Sequence, residues 1–207
     1  MTKIITVMNL KGGTAKTTTA CFLGHAYAAE GKRVIMVDAD PQGSLIEWAD
    51  QADFEIPVFR KDVPKLHRVL PGIIGDRFDV VIIDTPPLDE EAGIVYGAIR
   101  AADAVIIPTS PSTMEKDRLP AVWDTLHRIQ DDRDDEMTMA VLMTRNNKSA
   151  NSGQVISEFI REDGHRVLDT MITRLELFAL AKGFPVNELG GYDLVAKELD
   201  ELMKGKI

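Results

Sequence analysis

Residues 9–20 read NLKGGTAKTTTA. The run follows a short apolar segment, KIITVMN (3–9), and enters TTTACFLGHAYAAEGK (17–32), whose Ala and Leu content is helical and stops at Gly31. Strand, glycine-rich loop and helix in that order are the setting a phosphate-binding loop requires. Gly12 and Gly13 let backbone N–H groups approach phosphate oxygens with no Cβ in the way. The start of the helix adds its positive dipole end. In such a loop Lys16 reaches the terminal phosphates and the Thr17 hydroxyl binds Mg²⁺. The general pattern, G-x-x-x-x-G-K-[ST], nevertheless fails twice, because its first glycine falls on Leu10 and its second on Ala15. Alanine is acceptable there at negative φ and costly at positive φ.

Outward from the loop, the same alternation continues. RVIMVDAD (33–40), FDVVIIDTPP (78–87), DAVIIPTSP (103–111) and MAVLMTR (139–145) are apolar runs too short for helices and suited to strands buried on both faces. Helical patterns occupy about 90–101, 114–130, 151–163, 174–182 and 191–204. This order predicts an α/β fold, a doubly wound and mostly parallel sheet with helices on both faces. Ligands in such sheets bind beyond the carboxyl ends of the strands, where the unusual sequences lie, after residues 9, 38, 83 and 107. With no internal repeat or composition break, residues 1–207 read as one domain.

Composition narrows the function. A net charge of −9 argues against a protein coated in basic residues for nucleic acid or anionic membrane, although a local basic patch is compatible with it. The single Cys21 excludes an internal disulfide, and His25, His67, His127 and His165 are too scattered to form a metal cluster. MTKIITVMNL lacks the features of a signal peptide, and no run approaches the length of a membrane span, so a cytoplasmic location is expected.

The remaining candidates are carboxylates. VVIIDTPP places Asp84 at the end of an apolar strand, where a phosphoryl-transfer site needs an acid near Mg²⁺; a cap on the following turn is the structural alternative. VDADPQGS supplies Asp38 and Asp40 at the end of another strand. KGGTAKTT, VDADPQGS and FDVVIIDTPP, in that order and spacing, resemble the deviant Walker P-loop ATPases of the ParA/MinD superfamily. VIIPTSPS (105–112) and ALAKGFPVNEL (179–189) resemble its proline-containing loop and C-terminal segment, so the likeness covers nearly the whole chain.

The resemblance implies a slow ATPase cycling between ATP and ADP with Mg²⁺. Lys11, the lysine before Gly-Gly, would reach the partner's phosphates across an ATP-induced homodimer and act there like an arginine finger; the bland alternative is a solvated loop lysine. Lys11, Lys16 and Asp40 are the implied catalytic set, with Asp40 orienting the attacking water. Gly12, Gly13, Thr14, Ala15, Lys16, Thr17 and Thr18 form the loop, and Thr18 helps hold the α-phosphate. Thr17, Asp38 and Asp84 serve the metal, Asp38 by supporting its shell and the loop. Pro111, Asn146 and Pro185 are candidates for the adenine site, Asn146 because its amide can both donate and accept.

Within the superfamily the pattern is nearest to small ParA-type ATPases of plasmid or chromosome partition. They are nucleoid-associated, bind DNA nonspecifically as the ATP dimer and are released when a ParB-like centromere-binding partner stimulates hydrolysis. The chain begins directly at the first strand, so no N-terminal helix-turn-helix domain is expected. Arg145, Lys148, Arg174, Lys182 and Lys197 are the candidate phosphate-facing cations. The alternative is a MinD-like, membrane-cycling regulator of division-site placement. That alternative needs a basic amphipathic C-terminal helix, whereas YDLVAKELDELMKGKI carries Asp193, Glu198, Asp200 and Glu201. No membrane partner is expected.

Overall fold

The computed structural model describes residues 2–205. Its strands are β1 (Lys3–Val7), β2 (Val34–Asp38), β3 (Val58–Arg60), β4 (Val80–Asp84), β5 (Ala104–Thr109) and β6 (Thr138–Met143). They pair in parallel, in the order β3-β2-β4-β1-β5-β6. The alternation of strand side chains supplies apolar groups to both faces. Ile5, Val7, Val34, Met36, Val80 and Ile82 pack under α1 (Lys16–Ala29), α2 (Ser44–Ala52) and α9 (Tyr192–Lys204). On the opposite face, Ile35, Val37, Val81 and Ile83 meet α3 (Leu66–Ile74) and α4 (Ala92–Ala101). Val105, Ile107, Val141 and Met143 there meet α4, α6 (Leu119–Asp131) and α7 (Ser152–Glu162). The doubly wound parallel sheet expected from the sequence is the fold observed.

The C-terminal helix is docked, as its acidic character suggested. Tyr192 shares a hydrogen bond of 2.9 Å with Thr19 on α1, and the Tyr27 hydroxyl donates to Asp200 Oδ1 at 3.0 Å. Asp200 also accepts an ion pair from Lys3 Nζ at 2.6 Å. Leu199 is fully buried and Leu202 and Met203 pack against the same core, while Leu194 remains exposed. Among the described residues no helix is long and apolar enough to cross a membrane.

Three elements had no counterpart in the sequence reading, for identifiable reasons. Helix α2 starts at a glycine cap, Gly43, with no side chain to announce it. Its first N–H groups are capped from the end of the preceding strand, because Asp38 Oδ2 accepts from Leu45 N and Ile46 N at 2.9 and 3.0 Å. Strand β3 is only three residues long. Helix α3 carries Pro71 in its interior, where proline removes a helical donor and normally argues against a helix. The single helix expected over 114–130 is two, α5 (Thr113–Lys116) and α6, and that expected over 174–182 shrinks to α8 (Glu176–Ala179).

The close approach of α4 to the turn before α3 generates a test. A Cβ on Gly97 would stand 2.4 Å from the Pro64 carbonyl oxygen, a backbone atom that cannot swing aside. Gly97→Ala is expected to destabilise the protein by roughly 1–3 kcal/mol. It should lower the urea midpoint at unchanged m-value.

Candidate functional site

The register of the central strands builds the floor of the site. Val7 pairs with Asp84 and Asp38 pairs with Asp84, so β1, β2 and β4 end level. Asp38 and Asp84 share the strand face of Met36, Ile82 and Val7, the face covered by α1. Both carboxylates are fully buried. Burial pushes Asp84 up to about 8, with the Thr17 hydroxyl pulling down and the Asp38 charge adding to the rise. Neither Asp84 oxygen meets full hydrogen-bond geometry with a described residue, although the Thr17 hydroxyl stands close enough to lower its pKa. Asp38 is different: besides capping α2, it accepts from Asp40 N at 3.1 Å through Oδ1. Burial raises its pKa and three backbone N–H bonds oppose the rise. Asp38 therefore fixes the loop between β2 and α2, which leaves Asp84 as the uncommitted buried carboxylate.

Above this floor the loop after β1 is folded on its own lysine. Lys16 Nζ donates to the Lys11 carbonyl at 2.9 Å, and Thr14 Oγ1 donates to the same oxygen at 3.3 Å. Lys16 is only 6% exposed. Burial lowers its pKa, opposed first by the charge of Asp84 and then by that of Asp40. The Lys11 residue is exposed, although its carbonyl faces inward. Thr17 and Thr18 are half-buried at the start of α1. Gly13 has φ 74° and Ala15 φ 69°, both left-handed. The condition that made Ala15 costly is thus met, at about 1–2 kcal/mol for an L-residue. Asp40 is half-buried and shapes the turn after β2. Its Oδ1 accepts from Gln42 N, and its carbonyl accepts from Gly43 N, each at 2.9 Å.

Beside Ala15 and Thr18 opens a cavity of about 540 Å³ whose other walls include Thr144, Arg145, Arg174, Phe178 and Tyr192. The Thr144 hydroxyl is buried with no hydrogen-bond partner among the described residues. Of the residues expected around a base, Pro111, Asn146 and Pro185 do not line this cavity. Asn146 turns its Nδ2 toward Met171 Sδ at 3.6 Å, and its Oδ1 lies over Gly153, where a Cβ would meet it at 2.4 Å. Pro185 lines a separate groove with His25 and Phe54. Pro111 lies half-buried beside Ser112, whose hydroxyl caps α5 by accepting from Glu115 N. Phe178 and Tyr192 escaped the sequence reading because they look like core residues and reach the cavity only through the docking of the C-terminal segment.

The expected cationic set is likewise divided. Arg145 and Arg174 border the cavity, Lys182 pairs with Glu47 at 2.8 Å, and Lys148 and Lys197 are exposed. Chemically, the site offers a buried ammonium, a loop with left-handed residues at Gly13 and Ala15, and a buried carboxylate whose oxygens lack full hydrogen-bond geometry among the described residues. That donor set fits a polyphosphate with a hard, oxygen-seeking cation, Thr17 and Asp84 being the groups that would hold the cation.

Comparison with known proteins agrees. Residues 5–186 match the model of the CobQ/CobB/MinD/ParA nucleotide-binding domain. The maintenance of carboxysome distribution protein A of Gloeobacter kilaueensis is 37% identical over 128 residues, 61% of this chain and 56% of that protein. The chain thus spans little more than half of that relative. The sporulation initiation inhibitor protein Soj of Bacillus subtilis is 31% identical over 84% of this chain and 85% of its own. The cobyrinic acid a,c-diamide synthase of Mycobacterium smegmatis, solved with ADP and magnesium, has the same fold. It superposes with a TM-score of 0.78 at 24% identity, covering 99% of this chain and 96% of its own.

Two outcomes follow from this geometry. A carboxyl raised to about 8 favours the folded state while it is protonated, and that advantage is lost as pH climbs from about 4 through about 8. In metal-free protein, Asp84→Asn should therefore be a few kcal/mol more stable than wild type above pH 8, the gap closing toward pH 4 in urea titrations. Ala15→Gly should relieve the left-handed strain at some cost in chain entropy, a net gain of about 0.5–1 kcal/mol in the same measurement.

Proposed function

Because the chain belongs to the CobQ/CobB/MinD/ParA nucleotide-binding family, we propose that it is a ParA-type ATPase whose Mg·ATP-bound homodimer holds DNA nonspecifically and lets go on hydrolysis. The observation that carries the reading is the division of labour in the loop. Lys16 is buried against the Lys11 carbonyl, while the Lys11 residue is exposed and able to serve a second chain. Lys16 would exchange that carbonyl for phosphate oxygens, and the loop N–H groups would surround them. Mg²⁺, once held by Thr17 and Asp84, would neutralise charge on the β- and γ-phosphates. Asp40 would orient the attacking water, and Lys11 of each protomer would supply positive charge at its partner's site. The base would enter the cavity between Thr144 and Tyr192. Slow hydrolysis, stimulated by a ParB-like partner, would set the lifetime of the dimer on the nucleoid.

The cargo has two readings with one mechanism. The sequence resemblance to partition ATPases favours DNA partition, and the likeness to a carboxysome distribution protein favours the positioning of a protein-bound compartment. A membrane cycle is disfavoured because α9 is packed on α1 through Tyr27, Tyr192 and Asp200.

Binding and turnover separate the roles. Lys16→Ala should abolish Mg·ATP binding in calorimetry. Lys11→Ala should keep ATP affinity but lose ATP-dependent dimerisation and hydrolysis, and Asp40→Ala should bind and dimerise but turn over at least ~100-fold more slowly. Unchanged ATP affinity in Lys16→Ala would overturn the site. With a slowly hydrolysed ATP analogue, wild type should shift arbitrary duplex DNA at low salt and release it as salt rises. Flotation with anionic liposomes and no DNA binding would instead favour the membrane cycle.

A further inference from the structure

We infer that Asn9 is a positioning residue for Lys11: its side chain splices the end of β1 to β5 and so sets the direction from which Lys11 leaves the sheet. The inference rests on the reading of Lys11 as a group that acts on a second protomer.

The backbone ladder between β1 and β5 runs out at Met8, whose N–H bonds the Ile106 carbonyl at 3.0 Å. The next inward acceptor on β5 is the Pro108 carbonyl. It is taken by Asn9 Nδ2 at 2.7 Å, so a side-chain amide stands where a strand would have offered a backbone N–H. The main chain is thereby free to turn away from β5 one residue early. The other end of the same amide holds that turn, since Asn9 Oδ1 accepts from Leu10 N at 2.5 Å. On the opposite side, Leu88 N bonds the Asn9 carbonyl and Asp89 N bonds the Leu10 carbonyl, each at 3.1 Å. Residues 9 and 10 are therefore held from both β5 and the segment after β4, immediately before Lys11.

Asn9 is 3% exposed, and both ends of its amide are satisfied. It touches neither Lys16 nor Asp84 through any hydrogen bond. Buried amides are costly unless paired, and a purely apolar core would use a hydrophobic residue here. What the amide achieves is geometric: it fixes the one stretch of the loop that Lys16 does not. Lys16 bonds the Lys11 carbonyl and fixes the chain after that point. An exposed lysine that must meet a partner's phosphate gains from a rigid root, since displacement of a charge by about 1 Å can cost about 100-fold in rate.

The test is complementation between variants. If each site combines the Asp40 of one chain with the Lys11 of the other, Lys11→Ala mixed with Asp40→Ala contains one intact site and recovers hydrolysis. Asn9→Ala alone should keep ATP affinity within about threefold while dimerisation and turnover fall roughly 10- to 100-fold. Mixed with Asp40→Ala, it should recover activity as Lys11→Ala does, because the Asp40→Ala chain brings a well-placed lysine. If Asn9 instead supports the phosphate loop of its own chain, ATP affinity falls with turnover and the mixture stays inactive, which overturns the inference. Wild-type activity in Asn9→Ala also overturns it. Failure of the Lys11→Ala and Asp40→Ala mixture removes the cross-protomer reading and this inference with it. Should Asn9→Ala not fold, Asn9→Asp keeps the acceptor for Leu10 N and removes the donor to Pro108, and the same mixtures are read with it.

Discussion

A buried carboxylate at the end of a central strand is the constraint around which this molecule is arranged. Asp84 has no solvent exposure and, among the described residues, neither oxygen meets full hydrogen-bond geometry, a condition that costs several kcal/mol if the group is charged. It is held there because β4 lies between β1 and β2 and ends level with both. The neighbours supply partial compensation: the Lys16 charge and the Thr17 hydroxyl lower its pKa, while Asp38 and Asp40 raise it. A folded protein that leaves such a group only partly compensated concentrates its electrostatic cost at one point, which is where a ligand of opposite charge gains most.

The rest of the fold supports that concentration. The two carboxylates share a strand end but divide the work. Asp38 spends both oxygens on the backbone, ordering the turn of Asp40 and the start of α2, whereas Asp84 spends none. Helix α1 carries Lys16 and Thr17 over the pair and is itself held by α9 through Tyr27, Thr19 and Tyr192. Tyr192 also lines the cavity beside Ala15 and Thr18. Docking of the last helix and the shape of the cavity are consequently one structural event, which explains why a C-terminal segment with little motif of its own matters to a site built at the N-terminus.

Strain in the loop has a similar logic. Ala15 takes the left-handed conformation that glycine adopts freely, and the following helix begins directly at Lys16. The loop keeps its geometry despite the residue because Lys16, Thr14 and the Lys11 carbonyl tie it together. The altered pattern at residues 10 and 15 thus changes the energetic cost of the loop and preserves its form.

The sequence by itself determined the parallel α/β sheet, the loop at 11–18 and the strand-end acids, because each is a local pattern. Two-sided apolar runs such as VVIID specify interior strands, and KGGTAKTT between a strand and a helix specifies a turn with exposed N–H groups. Tertiary structure decided which backbone groups those acids bond. By spacing alone Asp38 and Asp40 look alike in VDADPQGS, and only the resemblance assigned them different roles; in the structure α2 returns its N–H groups to Asp38, seven and eight residues on. Tertiary structure also decided the walls of the cavity beside Ala15 and Thr18, which Arg145 and Arg174 border and Pro111, Asn146 and Pro185 do not. Those walls come from segments far apart in the chain, so no local spacing could announce them. Missed α2 and α3 follow the same rule: one is capped by the end of the preceding strand and the other carries an internal proline, and both are held by burial of an apolar face against the sheet.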